Sequence, residues 1–384
     1  MNNFEYQNIT QIIFGRDSQK QVGEKVKAMG KKVLLHFGGQ NIIKSGLYDN
    51  IITSLQESNV DFVELGGVVP NPRLSLVRKG IELCKAENVD CILAVGGGSV
   101  IDSAKAISMG ACIDFDVWEL FCTQQPISRC LPVGVVLTIP AAGSESSDSL
   151  VITKEEGQLK SAYHSNLVRP KFAVLNPELT FTLPPYQTAC GISDMLAHVM
   201  ERYFTDQLNV DITGRMCEAV MRGIMDNGIK VMSNPTDYDS RAELMWAGTV
   251  AHNGFIGVGR TEDWASHGME HEISGIYDIA HGAGLSIIFP AWMKYVYKNH
   301  IPRFVRFAVR VMDVESGGND TDDLIQTAIH RLEQFYHSMG LPTRLSEIGI
   351  DDSHFQEMAN KCGNRGSLEK LTPKDIVEIY RLAL

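Results

Sequence analysis

No stretch of the 384-residue chain approaches the ~18 consecutive apolar residues of a membrane helix, so no membrane is expected as a partner. The opening MNNFEYQNITQIIFG lacks the basic start and apolar core of a secretory signal, and a cytoplasmic location is the expectation. Positive charge is scarce. The 35 Lys and Arg face 46 Asp and Glu, a formal charge of −11. An acidic surface repels phosphate backbones, which argues against nucleic acid while leaving room for a local basic pocket. Paired cysteine motifs are missing as well. None of the eight cysteines is spaced C-x-x-C and most sit in apolar runs, the pattern of reduced, buried thiols. Internal repeats and low-complexity tracts are also absent.

The chain has 44% apolar and 21% charged residues, the balance of an ordinary globular protein, and its length suits two domains. The first half alternates. KVLLHF (32–37), VDFVEL (60–65), VDCILAV (89–95), VGVVLTI (133–139) and KFAVL (171–175) are short β-rich runs separated by helical patterns, such as Leu74 to Glu87. That alternation predicts βαβ units around a parallel sheet buried on both faces. Glu155-Glu156-Gly157 reads as a hairpin turn. After Pro184-Pro185 only helical periods follow, as in SDMLAHVMERYF and IQTAIHRLEQFYHSM. The fold class expected is an α/β domain over 1–182 followed by an all-α domain over 183–384.

Three strands end in loops of small residues. VDCILAV runs into Gly96-Gly97-Gly98, with a helix opening at Ser99 and Asp102 in its first turn. Glycines admit a ligand close to the backbone, and a helix N-terminus suits a pyrophosphate. The segment is neither G-x-G-x-x-G nor a Walker loop, and a tight βα turn without ligand has the same look. Gly38-Gly39-Gln40-Asn41 and Thr138-Ile-Pro-Ala-Ala-Gly-Ser-Glu-Ser-Ser147 end two further strands. Three such loops at carboxyl ends favour a nucleotide crevice.

The helical half holds a histidine and aspartate set. Asp194 and His198 lie four apart, as do His267 and His271, and His281 follows in DIAHGAGL. On helices such pairs share a face. Burying these polar groups in apolar stretches without a shared partner is unfavourable, and a mixed His/Asp set suits Zn²⁺ or Fe²⁺. Trp246, Phe255, Ile256 and Trp264 suggest an apolar pocket near them, and aromatic residues at helical spacing are also ordinary core. His36, His164, His252 and His330 read as structural or surface residues.

GGGSVIDSAKAIS, TIPAAGSESS, Asp194/His198 and HGMEHEISGIYDIAHGAGL together resemble the iron-containing (group III) alcohol dehydrogenases, from IIFGRD (12–17) to MGLPTRLSEIGI (339–350). The resemblance is strongest to the branch of NADPH-dependent butanol dehydrogenases and broad-range aldehyde reductases. It implies a dehydroquinate synthase-like fold, with a nicotinamide cofactor on the first domain and a divalent metal, Fe²⁺ or Zn²⁺, in the second. Carried over residue by residue, the metal ligands fall on Asp194, His198, His267 and His281. His271 lines the site, and as an imidazole it is the candidate proton relay. Cofactor contacts fall on Gly38, Gly39, Asn71, Gly97, Gly98, Ser99, Asp102, Thr138, Ser147 and Lys160. Two departures stand out: Ala142, where the family often has Thr, and Gln40-Asn41 in place of Gly-Ser.

The activity implied is hydride transfer between NAD(P)H and a small aldehyde or primary alcohol such as butanal or butanol, with the metal as Lewis acid. The alternative is a metal- and NAD-dependent lyase of the dehydroquinate synthase type, which needs more basic residues around its substrate than this helical half offers. Cofactor choice carries opposed hints. Glu64 ends VDFVEL where an acidic residue would favour NAD(H). The family's selector position carries Asp in NAD-preferring relatives, and Gly38 to Asn41 contain no carboxylate, so NADP(H) is expected to be preferred over NAD(H). A homodimer is the default assembly.

Overall fold

Four apolar runs of the N-terminal half, KVLLHF, VDCILAV, VGVVLTI and KFAVL, become strands with their central residues buried on both faces, as every residue of Cys91–Gly96 is. Asp61–Leu65 is instead an edge strand with Asp61 and Glu64 exposed and the rest partly covered, not buried as the sequence pattern suggests. The computed structural model describes residues 1–207, 209–317 and 320–384. Strands β1 (Gln11–Phe14), β2 (Lys32–Phe37), β3 (Asp61–Leu65), β4 (Cys91–Gly96), β5 (Val133–Leu137), β6 (Ser149–Lys154), β7 (Leu159–His164) and β8 (Phe172–Leu175) interleave with helices. These are α1 (Val22–Lys27), α2 (Asn41–Lys44), α3 (Leu47–Glu57), α4 (Leu74–Glu87), α5 (Gly98–Gly110) and α6 (Trp118–Thr123). The parallel sheet runs β1-β8-β5-β4-β2-β3. β6 and β7 pair separately as the hairpin turning through 155–158. Val33, Leu35, Leu93 and Val95 face one core together with Val22 and Val26 of α1 and Ile51 and Leu55 of α3. The opposite face meets α5, where the buried His36 bonds Ser103 Oγ through Nε2 at 2.8 Å. β1 escaped the sequence pattern because it is a short edge strand with only its middle residues partly covered.

The second half is helical: α7 (Pro185–Tyr203), α8 (Asp211–Ser233), α9 (Tyr238–His252), α10 (Ala265–Tyr277), α11 (His281–Val296), α12 (Ile301–Arg310), α13 (Thr321–Ser338), α14 (Phe355–Cys362) and α15 (Pro373–Leu382). Proline at the first turn starts α7, where its missing N–H is no loss. From Ile192 to Tyr203 every residue of α7 is buried, making it the central helix of its core. The chain divides into two compact units, 7–183 and 184–384, the second taking residues 1–6 with it. Residues 1–6, expected in the α/β domain, pack on the helical unit: the Asn2 amide donates to Gly259 O at 2.8 Å, and the Tyr6 ring lies 5.7 Å from Phe255. All eight cysteines are unpaired. Cys84, Cys91, Cys217 and Cys362 are buried while Cys122 is exposed, so burial is less general than their apolar surroundings suggest. Among the described residues, no helix is long and apolar enough to cross a membrane.

Candidate functional site

In the α/β unit β5, β4 and β2 are parallel neighbours, so their C-terminal loops reach one edge of the sheet. The chain runs from β2 to β3 on one side, and β4 lies on the other, which puts the reversal of strand order between β2 and β4. A crevice at such a reversal is where open α/β sheets take ligands. Gly97 caps α5 in extended backbone and Gly98 opens it, with Ser99 next. The free amides there offer a positive dipole end that fits a pyrophosphate. A Cβ added at Gly98 would lie 2.8 Å from the Ala142 Cβ, so the second and third loops touch where only glycine fits. The Thr138 amide joins the same two loops by donating to Gly96 O at 3.0 Å.

The other cofactor-site expectations fall into two groups. Lys160 Nζ donates to Asn71 Oδ1 at 3.1 Å, bringing the hairpin to a buried Asn71 held at φ 54°. Gly38 is half-buried and Gly39 exposed at the end of β2. Asp102 and Ser147 also bond within the protein. Asp102 accepts from Ser144 Oγ at 2.6 Å and the Val151 amide at 2.9 Å, while the buried Ser147 hydroxyl receives Lys105 Nζ at 3.3 Å. Both brace the third loop against α5. Glu64 accepts from the Tyr48 hydroxyl, and this bond pushes the phenol up to about 12.

In the helical unit, α7 supplies Asp194 and His198, α10 supplies His267 and His271, and His281 opens α11. Donor atoms of Asp194, His267 and His281 all lie within 4.8 Å of one another, and a second such group joins Glu270, His271 and His281. From Asp194 Oδ1 the distances are 3.5 Å to His198 Nδ1, 3.8 Å to His267 Nε2 and 3.8 Å to His281 Nε2. These are too long for hydrogen bonds and short enough for ligands of one ion. His198 stands outside the tightest cluster, its ring 4.7 Å from that of His267. The half-buried His271 ring is 5.5 Å from His281 and 6.5 Å from His267.

Asp194 Oδ1, His198 Nδ1 and His267 Nε2 are buried and lack a hydrogen-bond partner. Interiors do not leave such atoms bare, and a divalent cation among the Asp194, His267 and His281 donors would satisfy the first and third, with His198 Nδ1 beside it at 3.5 Å from Asp194 Oδ1. Burial would raise the Asp194 carboxyl, yet His267 and His281 outweigh it and hold the pKa below the ordinary carboxylate value. Burial likewise opposes a charged His267, and Asp194 with Glu201 reverses this to about 9. His198 is driven well below the usual imidazole value, first by burial and then by His267. The donor set thus fits a borderline metal.

Three participants were not recognised in the sequence. Glu201 follows His198 by three residues on α7, and Glu270 follows His267 by three on α10. Both are fully buried carboxylates, and a helical i,i+3 spacing from a candidate ligand was the available signal. His252, read as unconnected, has its ring 4.2 Å from His198, brought there by α9, and nothing local announces that. The suggested apolar pocket does not assemble as expected. Trp246 and Phe255 are 47% and 41% exposed, Ile256 is buried in the core, and Trp264 alone of the four has its ring against the histidines, 5.1 Å from His267.

This architecture recurs in known proteins. Residues 10–177 match the family model "Iron-containing alcohol dehydrogenase", and residues 188–384 match "Fe-containing alcohol dehydrogenase family, C-terminal". The chain is 41% identical over 387 residues to the probable NADH-dependent butanol dehydrogenase 1 of Bacillus subtilis, covering 100% of both chains. It is 35% identical to the NADPH-dependent aldehyde reductase YqhD of Escherichia coli, covering 95% of this chain and 94% of that one. The crystal structure of NADH-dependent butanol dehydrogenase A from Thermotoga maritima superposes with a TM-score of 0.96 at 38% identity, over 100% of this chain and 99% of the other. The lyase alternative is correspondingly less supported. Both halves of the family's sequence pattern are thus present in order over nearly the full length, and the chain belongs to the iron-containing alcohol dehydrogenase family, as an NAD(P)-dependent oxidoreductase of alcohols and aldehydes.

Proposed function

We propose that the protein reduces small aldehydes such as butanal, and oxidises the matching primary alcohols, with NADPH preferred over NADH. The α/β unit is then the cofactor-binding domain and the helical unit the metal and substrate domain. The observation that carries the reading is the set of buried, unpartnered donors on Asp194, His198 and His267, together with His281. Those four residues would hold one Fe²⁺ or Zn²⁺. When bound, the cation supplies Lewis acidity toward the substrate oxygen and the nicotinamide supplies the hydride. His271 exchanges the hydroxyl proton with solvent, a role supported by its partial exposure beside the buried cluster. The amides opening α5 at Gly98 and Ser99 hold the pyrophosphate, and Gly38, Gly39, Asn71, Thr138 and Lys160 line the rest. Asp102 and Ser147 shape the third loop from behind.

The cofactor preference rests on the loop after β2. It has no carboxylate to repel a 2′-phosphate, and Glu64 is occupied by Tyr48. The relatives' names include both cofactors. A Cβ at Gly39 would meet nothing within 4 Å, so Gly39→Asp is accommodated and should shift kcat/KM toward NADH by charge repulsion. A wild-type preference for NADH, or no shift in the variant, places the selector elsewhere. Eight unpaired cysteines support a reducing, cytoplasmic setting, and a homodimer is the assembly to test by sedimentation. The direct experiment follows NADPH absorbance with butanal before and after metal reconstitution of the stripped protein. No aldehyde-dependent oxidation by the reconstituted protein overturns the reading.

A further inference from the structure

His267 and His281 each have the nitrogen away from Asp194 held by a buried glutamate. Glu201 Oε1 lies 2.9 Å from His267 Nδ1, and Glu270 Oε2 is bonded to His281 Nδ1. Both glutamates are fully buried. A neutral imidazole has one proton to donate. With a carboxylate taking it at Nδ1, the lone pair is left at Nε2, the nitrogen that faces Asp194 at 3.8 Å in each case.

The carboxylates are themselves fastened. Glu201 Oε1 also accepts the His267 amide at 3.0 Å, and its Oε2 accepts the Trp264 amide at 2.9 Å. It therefore caps the N-terminus of α10 from α7, the helix that bears Asp194 and His198. Trp264 sits there at φ 63°, a left-handed conformation rare for a bulky residue. Glu270 Oε1 accepts the Ser274 hydroxyl one turn along α10. Gly284 leaves the space for it, since a Cβ there would lie 2.6 Å from both Glu270 Cγ and Oε1. The result is a chain of custody between helices: α7 orients the ligand on α10, and α10 orients the ligand on α11.

Resting on the metal-centre reading, we propose that Glu201 and Glu270 are positioning residues that select the Nδ1–H tautomer of His267 and His281, and add the negative charge that makes the site bind a divalent cation tightly. In the metal-free fold each carboxylate already has a histidine and a further donor as partners, so neutralising it is not expected to stabilise the fold. Weakened metal binding in a variant that still folds is therefore what separates positioning from plain packing.

The test uses the full-length protein stripped of metal and titrated with Zn²⁺ against a chromophoric chelator. Glu201→Gln and Glu270→Gln keep the side-chain shape, but an amide can satisfy either imidazole tautomer. Each is expected to weaken Zn²⁺ binding about 10- to 100-fold. Each metal-free variant is expected to keep a cooperative thermal transition, so that the lost affinity is read on a folded protein. Glu270→Gln, which leaves the Glu201 cap of α10 in place, is the safer variant for folding. Wild-type Zn²⁺ affinity in folded Glu270→Gln, or weakened binding only in variants that have lost cooperative metal-free unfolding, overturns the proposal while leaving the metal centre standing. Failure of the wild type to bind Zn²⁺ overturns the metal-centre reading and this inference with it.

Discussion

Adding one methyl group at Gly282 should disable the metal centre. Gly282 follows His281 at the start of α11, and Cys190 lies one turn before Asp194 on α7. A Cβ at 282 would stand 2.0 Å from Cys190 O and 2.6 Å from its carbonyl carbon. The obstacle is helix backbone, so no side chain can swing aside. Reaching even a 3.0 Å contact requires the helices to separate by about 1 Å at this point. His281 Nε2 and Asp194 Oδ1 are 3.8 Å apart. Two ligands on one ion, with bonds of about 2.0–2.2 Å, can stand no more than about 4.4 Å apart. A 1 Å opening along that line passes the limit, so His281 and Asp194 would no longer reach one ion together. Gly282→Ala is therefore expected to lower Zn²⁺ affinity by on the order of 100-fold or more, beyond what disturbing an outer partner does. The overpacking should also destabilise the metal-free helical unit by about 3 kcal/mol. Chelator competition and thermal unfolding of the stripped protein read the two effects. Gly223→Ala on α8 is the control, because a Cβ there meets nothing within 4 Å and the change should be neutral or slightly stabilising. Gly282→Ala with wild-type affinity and midpoint would refute the idea that this helix contact sets the ligand spacing.

Other outcomes are open to measurement. His267→Ala and His281→Ala should each lose most bound metal and nearly all turnover, whereas His271→Ala should keep metal, lower kcat and alter its pH profile; equal metal loss in His271→Ala removes the relay role. Stability of the α/β unit should fall in mild acid because of His36, whose burial, partly offset by its bond to Leu65 O, lowers the pKa from 6.5 to about 4. The sign follows from the unfolded chain taking the proton first: the contribution is whole above about 6.5, and ~3 kcal/mol is lost as the pH falls to about 4. Urea unfolding of wild type and His36→Asn at about pH 7 and pH 5 should show the steeper loss in the wild type, and parallel losses would count against it.

Much of this molecule is visible in its sequence because the relevant physics is local. Strands buried on both faces must be continuous apolar runs, and KVLLHF and VDCILAV name β2 and β4 without further help. Glycines after a strand, and Asp194/His198 one helical turn apart, express backbone geometry that neighbours a few residues away dictate. The family motifs extend this to the likeness of the whole chain. What tertiary structure alone decided are relations between helices far apart in sequence. Glu201 holds His267 across 66 residues, and His252 reaches His198 from α9. Asp102 and Ser147, expected at the cofactor, also tie α5 to the third loop, because Ser144, Val151 and Lys105 meet them in space. Residues 1–6 join the helical unit although they precede the first strand. Periodicity specifies which face of a helix is buried. It does not specify what that face meets, and here that depends on close backbone approaches such as Gly282 against Cys190, which set the distances between donors on different helices.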